Sequence, residues 1–181
     1  MTGRVNLIIG GARSGKSALA ESRAEQWLSE GRVNELIYIA TAQSKDDEMA
    51  ARIAHHKATR SPLWQVREAP WEIADIIAQL TSQQCALIDC LTLWLTFGLC
   101  EVTEREFFSN KQRLLDVLKA TKGSVILVSN EVGHGIVPMG ALSRRFVDES
   151  GWLNQDIAAI ANSVDFVMAG LPLNLKSEEK K

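Results

Sequence analysis

At 181 residues, with 20 Lys and Arg against 22 Asp and Glu and a formal charge of −2, the chain is long enough for one domain with a buried core. Its near-neutral charge is spread along the sequence and supplies no field for a polyanion, which excludes nucleic acid as the default partner. The three cysteines, Cys85, Cys90 and Cys100, lack CxxC spacing, so a disulfide framework or zinc knuckle is not expected and a reducing cytosol suits them.

The opening "MTGRVNLIIGG" carries an apolar run too short for a signal peptide, and no stretch approaches the ~18 apolar residues of a membrane span. A cytoplasmic location is therefore expected. From there, short apolar runs alternate with helical patterns, as βα units around a parallel sheet require. The runs are "VNLII" (5–9), "ELIYIA" (35–40), "WQVRE" (64–68), "ALID" (86–89), "SVILVS" (124–129), "DFVMA" (165–169) and "LNLK" (173–176). The central ones are apolar throughout, the pattern of strands covered on both faces. Helices are expected at 17–29, 46–58, 71–81, 91–100, 104–120 and 141–162. Thr103 and Glu106 mark the start of the fifth with a T-x-x-E capping box. The last run lies too close to its predecessor for a crossover helix, which predicts an antiparallel edge hairpin. The expected class is three-layer α/β, one domain over 1–176 followed by a disordered polar tail over 177–181.

Residues 10–17, "GGARSGKS", match G-x-x-x-x-G-K-[ST] between a strand and a helix, where the mechanism of that motif requires it. Gly10 and Gly15 let the backbone turn its N–H groups toward a phosphate, and the helix N-terminus adds partial positive charge. Lys16 is expected to reach the β- and γ-phosphates and Ser17 to offer its hydroxyl to Mg²⁺. Asp89 ends a neighbouring strand, where a carboxylate serves Mg²⁺ or simply caps the next helix. In "SNEVGHGIVP" (129–138), Asn130 and Glu131 follow another strand, at the end where open α/β sheets bind ligands. His134 has no evident partner there. A GTPase switch is disfavoured: the nearest string to N-K-x-D is "NKQR" at 110–113, inside an expected helix.

The segment "DDEMAARIAHHKA" (46–58) holds two of the three histidines. As a helix it places Met49, Ile53 and His56 on an apolar stripe and Glu48, Arg52 and His55 on a polar one. Adjacent residues point about 100° apart, which disfavours joint chelation of one metal. His56 then reads as a packing histidine. His55, with access to ligand, reads as either a solvated side chain or a group that meets nucleotide phosphates. Its unperturbed pKa near ~6.5 leaves it mostly neutral and nucleophilic at pH 7.

"GGARSGKS", "YIATAQSKDDEMAARIAHHK", "SNEVGHGIVP" and the region "NQDIAAIANSVDFVMAG", in this order and spacing, resemble the bifunctional adenosylcobinamide kinase / adenosylcobinamide-phosphate guanylyltransferase family of cobalamin biosynthesis. The likeness covers nearly the whole chain. It implies a RecA-like P-loop fold with a mostly parallel sheet of about seven strands. It also implies phosphorylation of adenosylcobinamide by ATP or GTP, then transfer of GMP from GTP to adenosylcobinamide phosphate through a guanylyl-histidine. By resemblance the nucleophile is His55. The nucleotide contacts carried over by position are Gly10, Gly11, Ala12, Arg13, Ser14, Gly15, Lys16, Ser17, Ala40, Thr41, His56, Lys57, Ala58, Thr59, Glu68 and Asp89. A homotrimer is implied in the same way. Competing readings are a P-loop kinase of another small alcohol without guanylyltransferase activity, and a non-catalytic nucleotide-dependent switch.

Overall fold

The computed structural model describes residues 3–43 and 61–177. The expected helix at 46–58, with His55, His56, Lys57, Ala58 and Thr59, lies outside them, as does most of the polar tail. The described elements run β1 (Val5–Gly10), α1 (Lys16–Ser29), β2 (Glu35–Ala40), β3 (Trp64–Glu68), α2 (Ile73–Ala78), β4 (Gln84–Asp89), α3 (Leu91–Glu101), α4 (Glu104–Ala120), β5 (Ser124–Asn130), α5 (Ala141–Ile160), β6 (Ser163–Met168) and β7 (Leu171–Lys176).

The strands form one seven-stranded sheet in the order β3-β2-β4-β5-β1-β6-β7. All neighbours pair parallel except β6 with β7. Side chains alternate between faces along each strand, and the two faces carry separate cores. Leu7, Ile37, Ile39, Ile88 and Leu127 pack with Ile73, Trp94, Phe107, Leu114 and Leu153 of α2–α5. Ile8, Leu36, Tyr38, Leu87 and Ile126 pack with Ala20, Ala24 and Trp27 of α1. Strands buried on both sides need apolar residues at every position, which is why these segments read as unbroken runs.

Parallel pairing brings the C-terminal ends of β1–β5 to one rim. Gly10 lies opposite Asn130, Asp89 opposite Val128, and Ala40 opposite both Asp89 and Glu68. The chain leaves β1 toward β2 over the α1 face, and leaves β5 toward β6 over the α5 face. The crevice between β1 and β5 is therefore the point where the winding reverses, the position at which open α/β sheets take ligands.

The expected hairpin is present. Met168 pairs with Leu171 across a two-residue turn, and both turn residues have positive φ, 52° at Ala169 and 78° at Gly170. That is the geometry that matches strand twist in a tight hairpin. The capping box is also formed: Thr103 Oγ1 accepts from Glu106 N–H at 3.3 Å, and Glu106 Oε2 accepts from Thr103 N–H at 2.9 Å.

The main departures are at element ends. The helix expected over 71–81 is confined to Ile73–Ala78. Beyond it the Gln79 and Leu80 N–H groups bond three residues back, to Ile76 and Ile77, so the last turn tightens and stops. β4 begins two residues early, at Gln84, because Gln84 pairs with Glu35 and its side-chain amide donates to Glu35 Oε2 at 2.6 Å.

A buried ion pair ties α1 to the hairpin. Arg23 Nη1 lies 2.6 Å from Asp165 Oδ2, and the Asp165 side chain is only 5% exposed. Asn174 on β7 donates to the other carboxylate oxygen at 3.0 Å. Removing the guanidinium strands a buried carboxylate, at a cost moderated by the remaining Asn174 bond and by partial exposure of Arg23. Arg23→Met is expected to lower unfolding free energy by about 2 kcal/mol, read as a reduced urea midpoint at unchanged m-value.

Candidate functional site

The loop between β1 and α1 sits over the winding reversal. Gly10 (φ 156°) and Gly15 (φ 99°) bracket it, and Arg13 adopts a left-handed φ of 55°. Two of its glycines are set by close approach to the β6–β7 hairpin. A Cβ on Gly10 would stand 2.3 Å from the Val167 carbonyl oxygen, and one on Gly15 would stand 3.2 Å from Gly170 Cα. The Gly170 N–H donates to Ser14 O at 2.9 Å, fastening the loop from the hairpin side. On the other side Glu131 N–H donates to Gly10 O at 2.9 Å. The loop backbone is thus clamped between β5 and the hairpin. Gly11, Ala12, Arg13 and Gly15 are exposed on its outer surface, while Ser14 is buried.

Lys16 begins α1, yet its side chain folds back into the loop, with Nζ donating to Gly11 O at 2.6 Å and lying 3.5 Å from Ser14 Oγ. Burial pulls its ammonium below the usual lysine pKa, while the negative charge of Cys90 and Asp89 in their ionised forms works in the opposite sense. Ser17, half-buried, occupies the next helical position.

Asp89 closes β4, half-buried, and accepts from Tyr38 Oη at 2.9 Å. The next residue links the strand ends. Cys90 N–H donates to Thr41 Oγ1 and the Thr41 hydroxyl donates to Cys90 O, both at 2.8 Å. Thr41 is 2% exposed, so its hydroxyl serves this splice between β2 and β4. Cys90 Sγ lies 2.9 Å from Thr92 Oγ1, which also accepts from Asn130 Nδ2 at 3.0 Å. Burial and the neighbouring Asp89 push the Cys90 thiol up, with hydrogen bonds from Thr92 and Leu93 opposing them.

Of the residues expected from sequence, the rim thus brings together Gly10–Ser17, Asp89 and Asn130. Ala40 is half-buried at the rim, and Glu68 is exposed at the end of β3. Four strand spacings, about 19 Å, separate β3 from β1, so Glu68 and the phosphate loop stand at opposite ends of the row. Glu131 bonds within its own loop, accepting from Gly133 N–H at 2.6 Å. His134 lies against Phe166, the rings tilted by 45° with centroids 6.1 Å apart. No motif in the sequence marks Tyr38, Cys90 or Thr92 as site residues. Tyr38 lies inside an apolar run and reads as core, and its single polar atom is the only signal that could have marked it.

Three features fit a nucleoside triphosphate: backbone N–H groups at a helix N-terminus, a buried lysine, and a carboxylate on the adjacent rim. Among the described residues no cluster of three or more His, Cys, Asp or Glu side chains could hold a metal alone. Ser17 and Asp89 offer hard oxygen donors, which suit an ion that takes one or two protein ligands and completes its shell with phosphate and water.

Residues 6–175 match the family model described as cobinamide kinase / cobinamide phosphate guanyltransferase. The chain is similar to the bifunctional adenosylcobalamin biosynthesis protein CobP of Pseudomonas aeruginosa. The two are 48% identical over 176 residues, covering 96% of this chain and 98% of that protein. The chain is also similar to CobU of Escherichia coli, with 37% identity over 185 residues, covering 94% and 98%. Among solved structures, a KaiC-like protein of Pyrococcus horikoshii superposes with a TM-score of 0.53 at 16% identity, covering 98% of this chain and 81% of that one. The flagellar accessory protein FlaH of Methanocaldococcus jannaschii gives 0.52 at 13% identity, covering 98% and 80%. These likenesses show the RecA-like P-loop fold alone.

The clamp makes two adjacent glycines behave differently. Gly10→Ala is expected to cost at least about 2 kcal/mol of stability and to abolish GTP binding, since backbone rather than a side-chain tip blocks the new methyl. Gly11→Ala, whose Cβ meets nothing within 4 Å, is expected to melt within about 0.5 kcal/mol of the parent. Paired thermal melts and a GTP titration of the two variants check this.

Proposed function

This chain belongs to the cobinamide kinase / cobinamide phosphate guanyltransferase family, and on that premise we propose that a single phosphate cradle serves both of its reactions. Its activities are cobinamide kinase and cobinamide-phosphate guanylyltransferase. The proposal concerns how they are carried out: adenosylcobinamide is the acceptor, ATP or GTP the phosphoryl donor, and GTP the guanylyl donor. The observation that carries it is the clamped loop Gly10–Ser17 at the winding reversal, with Lys16 held inside.

In the kinase reaction the loop N–H groups and the Lys16 ammonium hold the β- and γ-phosphates. They oppose the charge that spreads over the phosphoryl oxygens as the acceptor hydroxyl attacks. The bond from the γ-phosphorus to the β–γ bridging oxygen breaks, the nucleoside diphosphate leaves with its electron pair, the acceptor oxygen takes the phosphoryl group, and the hydroxyl proton passes to water. Ser17 and Asp89 would hold Mg²⁺, which supplies charge neutralisation on the phosphates when bound. Tyr38 keeps the Asp89 carboxylate oriented by donating to it. The rim from Asp89 past Ala40 and Thr41 to Glu68 offers a track for the nucleoside.

In the guanylyl reaction the nucleophile is His55. Its neutral imidazole attacks the α-phosphorus of GTP, a P–N bond forms, and pyrophosphate leaves. A phosphate oxygen of adenosylcobinamide phosphate then attacks the same phosphorus. The P–N bond breaks, adenosylcobinamide-GDP is released and the imidazole is restored. His56, Lys57, Ala58 and Thr59 complete the nucleotide contacts in this reading. It extends to a homotrimeric assembly and a cytoplasmic setting, in keeping with three free thiols.

Mass spectrometry of the intact protein after incubation with Mg²⁺-GTP tests the reading. One added GMP is expected, retained in alkali, lost in mild acid, and carrying label from the α but not the γ position. His55→Ala is expected to lose the adduct and reduce guanylyl transfer by several orders of magnitude, with kinase turnover persisting. An adduct that survives this substitution would remove His55 from the role. Asp89→Asn retains an oxygen acceptor for Tyr38 but not the charge. It is expected to raise the Mg²⁺ concentration for half-maximal rate at least about tenfold, with an unchanged melting temperature.

A further inference from the structure

We propose that the loop after β5, residues 131–140, together with the start of α5, is the platform on which the corrin macrocycle of the acceptor lies. The inference rests on the functional reading above, in which the acceptor is a cobinamide.

The acceptor sets the requirement. A corrin ring is broad and largely apolar, fringed with amide-bearing arms, and its reacting hydroxyl sits at the end of one arm. When that hydroxyl meets the γ-phosphate at the phosphate loop, the ring must lie within an arm's length of the loop. An apolar surface adjoining the loop is therefore needed.

The loop after β5 meets that requirement. It starts where Asn130 pairs with Gly10 and Glu131 N–H bonds to Gly10 O, so it continues directly from the phosphate cradle. It then presents Ile136 at 97%, Met139 at 96% and Val137 at 74% exposure, followed by Leu142 at 54%. Apolar side chains gathered in this way beside a site mark a binding surface rather than a core. The loop is held in shape rather than trailing. Arg144 donates to the Pro138 and Met139 carbonyls, and Glu131 accepts from Gly133 N–H. Beneath it lies a cavity of about 240 Å³ whose lining includes Val147, Arg144 and Asp148. This pairs a donor and an acceptor against the amide fringe of such a ligand. The exposed leucines of β7 offer a different setting: Leu171 sits at the hairpin turn, on the flank of the phosphate loop away from β5, and Leu173 and Leu175 lie progressively farther from the rim along the edge strand.

The test uses the full chain with Ile136→Ser and Met139→Ser combined. Binding of cobinamide is followed by corrin absorbance in equilibrium dialysis, alongside GTP binding, the GMP adduct and the sedimentation mass. The expected result is a rise of at least about tenfold in both the dissociation constant and the KM for cobinamide, with GTP affinity, adduct and mass unchanged. Unchanged cobinamide affinity in the variant, with an active parent, would overturn the platform alone. So would a fall in sedimentation mass, since a second copy of the chain would then be what covers the loop. A parent protein that neither binds nor turns over cobinamide would instead bring down the functional reading, and the platform with it.

Discussion

Where the phosphate loop meets the sheet there is no room for a side chain. The Val167 carbonyl occupies the place of a Cβ on Gly10, and Gly170 crowds that of Gly15. This contact decides much of the surrounding architecture. The loop is pinned to backbone on both flanks, through Ser14 O on one and Gly10 O on the other, while Gly11, Ala12 and Arg13 stay exposed. The hairpin that does the pinning needs its own tight turn, hence the two positive-φ residues Ala169 and Gly170. The helix that opens from the loop is held to the same hairpin by Arg23 and Asp165. Fold and site share one set of contacts here.

The second organising theme is charge kept close to its opposite. Lys16 is buried, which disfavours its ammonium, yet the thiolate form of Cys90 and the Asp89 carboxylate work in the opposite sense. Tyr38 and the Thr41–Cys90 exchange hold the strand ends that carry those groups. Cys85, buried near the opposite end of β4, shows burial without such company: its thiol is pushed up to about 12. The contrast explains why a titratable side chain at the rim is suited to ligand chemistry and one inside the strand is inert.

Much of this was legible in the sequence because its causes are local. Apolar runs reveal strands covered on both faces, the G-x-x-x-x-G-K-S string fixes the cradle, and Thr103 with Glu106 announces a helix start. The short gap between β6 and β7 predicts antiparallel pairing, since a parallel return needs a crossover. What stayed hidden is what only tertiary contact creates. Nothing near Val167 in the sequence says that its carbonyl will press on Gly10, and Tyr38 looks like any core aromatic until its hydroxyl is seen on Asp89. The early start of β4 depends on Gln84 meeting Glu35, a partner far away in the chain. The separation of Glu68 from the phosphate loop follows from sheet order, which periodicity does not encode.

The hairpin brace also imposes an order in time. β1 and the phosphate loop leave the ribosome well before their sheet neighbours β5 and β6, and the Val5 N–H finds its side-chain acceptor on Asn162, 157 residues later. A nascent chain shorter than Gly170 lacks the bond that fixes Ser14, so it holds the glycine-rich string without the cradle. Such long-range closure slows folding relative to local contacts. It also makes the cradle a late event in biogenesis: a truncated or stalled product carries the motif without the contacts that shape it.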